Sequence, residues 1–104
     1  MGTLNFTVGS YAKSKGSGAA TIMSSNIRAS DAFTTSGSAA NVEADAADII
    51  MALGEVLRVY ADEAMWLSFG GVAATVGTGF YVPAETTLEW ECATAGNVSA
   101  IDVA

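Results

Sequence analysis

The chain has 104 residues, enough for one domain around a single modest core. Its formal net charge is −7, eleven acids against Lys13, Lys15, Arg28 and Arg58, and it holds no histidine and one cysteine. Nucleic-acid affinity rests on neutralising phosphates, so four scattered bases in a negative field argue against a DNA or RNA partner. An anionic membrane surface is disfavoured for the same reason. With so few bases, nucleophiles and metal ligands, no enzymatic activity, metal or cofactor is expected.

Charged residues make up 14% of the chain, against about 25% in an average soluble domain, which suits a surface partly covered by neighbours. Cys92 has no partner for an intrachain disulfide and is expected as a small buried hydrophobe. Met1 to Asn5 is neither basic nor followed by a long apolar run, so no secretory signal is expected. Ile49 to Leu53 is too short to span a bilayer. Synthesis in a cytoplasm is the expectation.

Leu4, Phe6 and Val8 alternate with polar residues and predict a strand. From Ser14 to Asn41, 19 of 28 residues are Ser, Gly, Ala or Thr, which leaves little side-chain area to bury. The stretch reads as an extended arm anchored by Ile22, Met23, Ile27 and Phe33. Asn41 to Leu53 fits a short amphipathic helix capped by Asn41, and Ile49 to Leu53 fits β structure equally well.

From Ile49 onward there are 22 large apolar or aromatic residues against 10 before it, so the core is expected mainly from the second half. Period-two runs predict strands over Val56–Ala61, Met65–Phe69, Leu88–Cys92 and Val98–Val103. Asp62-Glu63 suits a tight hairpin between the first two of these. Gly70-Gly71 ends a strand, Gly77-Thr78-Gly79 precedes Phe80-Tyr81-Val82, and Pro83 ends that run or marks an edge. Gly96-Asn97 reads as a turn. The fold class expected is all-β: an antiparallel sandwich, jelly-roll-like, with an extended Ser/Gly/Ala-rich N-terminal arm. Residues 1–48 would hold the first strand and the arm, and 49–104 the main sandwich strands, within one domain.

Glu89 and Glu91 share one strand face. Paired carboxylates can do acid–base work, but that needs one buried carboxyl, and both lie opposite Leu88, Trp90 and Cys92. A solvated strand face that discourages stray edge pairing is the better account. Asp45, Asp48, Asp62 and Glu63 lack the spacing of a calcium loop. The serines have no histidine to act as base, and no nucleophile elbow or phosphate loop occurs. Asn5-Phe6-Thr7 and Asn97-Val98-Ser99 match a glycosylation sequon, read as accidental without a secretory signal. Among the aromatics, Trp90 shares a face with Leu88 and is expected in the core. Tyr60 and Trp66 lie opposite apolar strand faces, so both faces of their strands are covered. Tyr60, Trp66 and Tyr81 are therefore the candidates for a subunit interface.

A Ser/Gly/Ala/Thr-rich, acidic, histidine-free first half runs into short strands such as Gly54-Glu55-Val56-Leu57-Arg58-Val59, Gly79-Phe80-Tyr81-Val82-Pro83-Ala84 and Gly96-Asn97-Val98-Ser99-Ala100-Ile101. This resembles the small β-rich virion proteins of tailed bacteriophages, among them capsid decoration (cement) proteins and small head or tail accessory proteins. The resemblance implies a structural protein, a jelly-roll-like trimer on the outer capsid surface between capsomers, with the major capsid protein as partner. Lys13, Lys15 and Arg28 would then meet an acidic capsid surface, with Ile22, Met23 and Phe33 as the arm's apolar contacts. The alternative is a head-fibre or tail-associated module that binds a carbohydrate or receptor.

Overall fold

The structure, a computed structural model, describes residues 2–12 and 22–103, and side chains at 2–10 and 27–103. The described residues form twelve strands and no helix. They are β1 (Thr3–Ala12), β2 (Ile22–Thr34), β3 (Ala40–Asn41), β4 (Glu43–Ala44), β5 (Ala47–Asp48), β6 (Ile50–Met51), β7 (Val56–Ala61), β8 (Met65–Ser68), β9 (Phe80–Val82), β10 (Thr86–Glu91), β11 (Gly96–Asn97) and β12 (Ser99–Asp102).

The first sheet runs in the order β10-β7-β1-β2, every pair antiparallel. Leu4, Phe6 and Val8 of β1 sit opposite Ala61, Val59 and Leu57 of β7, and cross-strand partners share a face, so six apolar residues line one side. Leu88 and Trp90 of β10 extend that side, facing Val59 and Leu57. The second sheet runs β3-β12-β8-β9, again antiparallel. Met65, Leu67, Val82 and Ala100 form its inner side and are fully buried. One apolar cluster takes residues from both inner sides and is completed by Val42, Ile49, Met51, Cys92 and Val98. The protein is all-β with antiparallel sheets, an arrangement that fits a β-sandwich. Two small pairs, β4–β5 and β6–β11, complete it.

Three sequence expectations need correction. Residues 22–34 were expected in an extended arm, but they form β2, hydrogen-bonded along β1 from Thr3↔Thr34 to Ala12↔Ile22. Strand pairing uses the backbone, so small side chains do not prevent it, and Ala29 and Phe33 pack against the core. Asp62-Glu63 does not close a hairpin, because β7 and β8 lie in different sheets and the residues carry the chain between them. Gly96-Asn97 is strand β11, paired with Ile50 and Met51 of β6. Of the two alternatives left open between Asn41 and Leu53, the β one is found, as the short strands β3 to β6. The segment's apolar residues Val42, Ile49 and Met51 are buried, while Ile50 and Leu53 are exposed.

The β4–β5 hairpin turns through Asp45 and Ala46, both at positive φ (52° and 63°), the pattern of a type I′ turn that matches strand twist. Ala46 has a Cβ where glycine would be unstrained, so Ala46→Gly should stabilise the fold by about 1 kcal/mol, raising the melting temperature by roughly 4–8 °C. An unchanged or lower melting temperature would contradict this. The hairpin is tied to β2 by Asp31, whose carboxylate accepts the Asp45 N–H at 2.9 Å and the Ala32 N–H at 2.7 Å. These two donors hold the Asp31 carboxyl below the usual aspartate range.

Candidate interaction surfaces

The outward positions of the second sheet are Asn41, Ser99, Ile101, Trp66, Ser68 and Tyr81, and none carries a charge. Trp66 lies between Ile101 on β12 and Tyr81 on β9, so the three side chains form one cross-strand row. The Trp66 and Tyr81 rings are 5.2 Å apart and tilted at 53°. Tyr81 is 47% exposed. The loop after β8 crosses the other end of this face, where the Ala74 N–H donates to Ser99 Oγ at 2.9 Å. That bond accounts for a serine buried on an outer face.

The outer face of the first sheet is polar by contrast. Arg58 pairs with Glu89 directly across the β7–β10 ladder, at 2.7 Å. Glu89 thus lies on an open strand face in an ion pair, not in a cleft. Tyr60 stands on this face beside Asn5 and Thr87. The three aromatics named from sequence therefore divide: Trp66 and Tyr81 are neighbours, and Tyr60 is on the opposite side of the sandwich.

The candidate capsid contacts divide as well. Lys13 and Lys15 lie outside the described residues, as do the side chains of Ile22 and Met23, whose backbones belong to β2. Phe33 faces Leu4 and packs, partly buried, against the core. Arg28 is already engaged within the chain. Its Nε donates to Glu55 Oε2 at 2.6 Å, and Nη2 donates to Glu55 Oε1 and to the Ile50 carbonyl, both at 3.0 Å. Glu55 Oε1 also accepts the Ala52 N–H at 2.8 Å, so this pair fastens the β6–β7 loop to β2.

The Arg28 guanidinium, through its hydrogen bonds, holds the Glu55 carboxyl below the usual glutamate range. A lowered folded-state pKa stabilises the fold fully above the ordinary value near ~4.3, and that contribution is lost as pH falls through the lowered one. Arg28→Ala should cost about 1 kcal/mol at neutral pH, a bidentate pair in partly exposed surroundings. The gap between wild type and variant should narrow below about pH 4. Urea midpoints at pH 6 and pH 3 would check this, and a gap that stays constant would contradict it.

At the end of the sandwich where β10 meets the β6–β11 pair, Phe69, Phe80 and Trp90 pack edge to face with centroids 5.2–5.6 Å apart. With Met51, Leu57 and Cys92 they wall a shallow apolar cleft. Cys92 is a buried free thiol that donates to the Thr94 carbonyl. Among the described residues no group of three or more Cys, Asp or Glu side chains is placed to hold a metal ion.

Sequence reasoning missed the exposed aliphatic residues Ile27, Ile50 and Leu53 as surface features. Leu53-Gly54 before a polar Glu55 was the available signal, a turn that leaves a leucine outside. No family model matches the chain, and no curated protein or solved structure matches it.

Proposed function

We propose that the protein is a non-enzymatic structural protein of a phage virion, which binds the outer capsid shell and stabilises it by bridging capsomers. The observation that carries this reading is the uncharged face bearing Ile101, Trp66 and Tyr81 on a chain of net charge −7. Charge depletion with aromatic enrichment marks the centre of protein–protein contacts. The placement on a capsid comes from the resemblance to phage decoration proteins, as do a jelly-roll-like connectivity, a trimer and an N-terminal arm.

The β1–β2 pairing supports an arm of a modified kind. β7 covers β1 only as far as Gly9, which faces Val56, while the β1–β2 ladder continues to Tyr11↔Met23 and Ala12↔Ile22. A two-stranded ribbon without further support is marginal in water and gains from lying on a partner. A body and a ribbon gripping different subunits would reinforce one another, and bound copies favour the assembled shell by mass action. Shells lacking the protein are expected to rupture at lower temperature or under milder osmotic shock than shells carrying it. Equal robustness would overturn this function.

A second reading is a carbohydrate- or receptor-binding module of a head fibre or tail. The half-exposed Tyr81 beside Trp66 favours it, since sugar rings stack on open aromatic faces. It predicts a change in tryptophan fluorescence on adding the glycan. The capsid reading predicts silence across a glycan array.

A further inference from the structure

The apolar cleft draws its walls from both sheets. Leu57 and Trp90 come from β7 and β10 of the first sheet, and Phe80 from β9 of the second. Its volume is about 120 Å³. Pockets that bury a whole small-molecule ligand run to ~300–1,000 Å³, so this one is too small for such a guest. It matches a single ring, since an apolar cavity of ~150 Å³ takes up benzene and stays dry without it. The Cys92 thiol already donates to the Thr94 carbonyl at 3.3 Å, so it is not available to a polar guest. Phe80 packs edge to face on Phe69 and Trp90 and is still 46% exposed, so part of the wall faces water.

We infer that this cleft is an anchor pocket for the protein that the chain binds. One ring-sized apolar side chain of the partner fills it, and a basic residue next to that side chain in the partner meets Glu91. Size selects a side chain over a free ligand, and a ring in a fitted pocket is the form that binding hot spots take. Charge selects the basic neighbour. Glu55, whose carbonyl accepts the Cys92 N–H, is paired with Arg28, and Glu89 is paired with Arg58. Glu91, the one charged residue on the cleft's lining, is exposed and has no ion pair among the described residues. At net −7 the chain repels an acidic segment and attracts a basic one. Strand β9 ties the pocket to the aromatic row. Consecutive strand residues face opposite sides, so β9 turns Tyr81 to the outer face and Phe80 to the cleft. β9 is an edge strand, so a partner lying on the row reaches the cleft around an open border of the sheet. The inference rests on the partner-binding part of the proposed function and names its anchor.

Three capped dipeptide amides test it: acetyl-Phe-Lys, acetyl-Ala-Lys and acetyl-Phe-Glu, with the Met51 methyl and Trp90 indole resonances as the readout. The Phe-Lys probe should shift both resonances. The Ala-Lys probe, which has no ring to bury, should bind at least ~10-fold more weakly. The Phe-Glu probe should bind at least ~3-fold more weakly, the scale of an exposed ion pair. Glu91→Lys alters an exposed residue and should reverse the order of the Phe-Lys and Phe-Glu probes. Ala93→Phe sets a ring of the chain's own on the lining and should weaken the Phe-Lys probe at least ~10-fold. Melting curves verify folding, and Phe80→Ala, which removes the exposed part of the wall, replaces Ala93→Phe if that variant does not fold. Resonances that stay still with the Phe-Lys probe overturn the inference, and so does a Phe-Glu probe that binds wild type as tightly. Co-sedimentation with empty shells separates the anchor from the function. Shells that bind wild type and the Ala93→Phe protein equally overturn the anchor and leave the capsid function. Shells that bind neither, while the Phe-Lys probe fills the wild-type cleft, overturn the capsid function alone.

Discussion

Gly79→Ala should cost about 3 kcal/mol or more and lower the melting temperature by roughly 15 °C or beyond. Gly79 has φ +102°, where a side chain is strained, and a Cβ built there would lie 2.5 Å from the backbone carbonyl oxygen of Leu67. That oxygen belongs to β8, a central strand of the second sheet, so it cannot retreat without breaking ladder bonds on both sides. Two other glycines separate the causes. Gly77 has φ +91° but open space around its Cβ position, so Gly77→Ala should show the backbone strain alone, about 1 kcal/mol. Gly37 has neither strain nor neighbours, so Gly37→Ala should be neutral or slightly stabilising. Urea midpoints falling in the order Gly37, Gly77, Gly79 would support the argument. A Gly79→Ala protein as stable as the Gly77 variant would refute the steric part.

Leu67→Ala should cost about 2–5 kcal/mol. Leu67 is fully buried, with Ala100 and Phe80 beside it on the inner face and the first sheet's apolar side against it. Ala100 is already small and sits in a paired strand, so the neighbourhood has little freedom to close a cavity. Leu53→Ala supplies the comparison. Leu53 is 69% exposed, and its truncation should alter the stability of the single chain by no more than about 0.5 kcal/mol. The same chemical change thus separates a leucine that holds the sheets together from one that stands on the surface. A Leu67→Ala loss under 1 kcal/mol would contradict the central place given to this side chain.

The sequence made the two inner faces legible because burial on one side of a strand imposes period two. Leu4/Phe6/Val8, Leu57/Val59/Ala61 and Met65/Leu67 were each visible as alternation, and each is buried. Strand β2 was hidden because Ser, Gly, Ala and Thr carry little hydrophobic signal. Its alternation survives only in Ala29 and Phe33, separated by Asp31, which is used to hold the β4–β5 hairpin. Sheet membership was not legible either. Asp62-Glu63 is as short as a hairpin turn, and only three-dimensional packing decides that the chain crosses between sheets there. Of the candidate surfaces, Trp66 was marked by apolar residues on both faces of its strand, and Tyr81 is its neighbour. Tyr60 carried the same mark and lies elsewhere, since a period-two pattern tells inside from outside but not one outside from another. The Arg28–Glu55 pair was not legible, because Glu55 lies far along the chain and is reached only through the fold.

The position of β1 sets an order of events as the chain is made. Its inner face of Leu4, Phe6 and Val8 is synthesised well before Leu57, Val59 and Ala61 on β7, which complete it. β10 and β12 arrive later still, and Asp102 meets Met65 across the β12–β8 ladder. Only the β1–β2 hairpin can form early, and by itself it is weak. Pairings so distant along the chain place folding on the order of milliseconds to seconds, not microseconds. Until Ala61 has emerged, the growing chain presents one uncovered apolar strand face, and that interval is its most aggregation-prone moment.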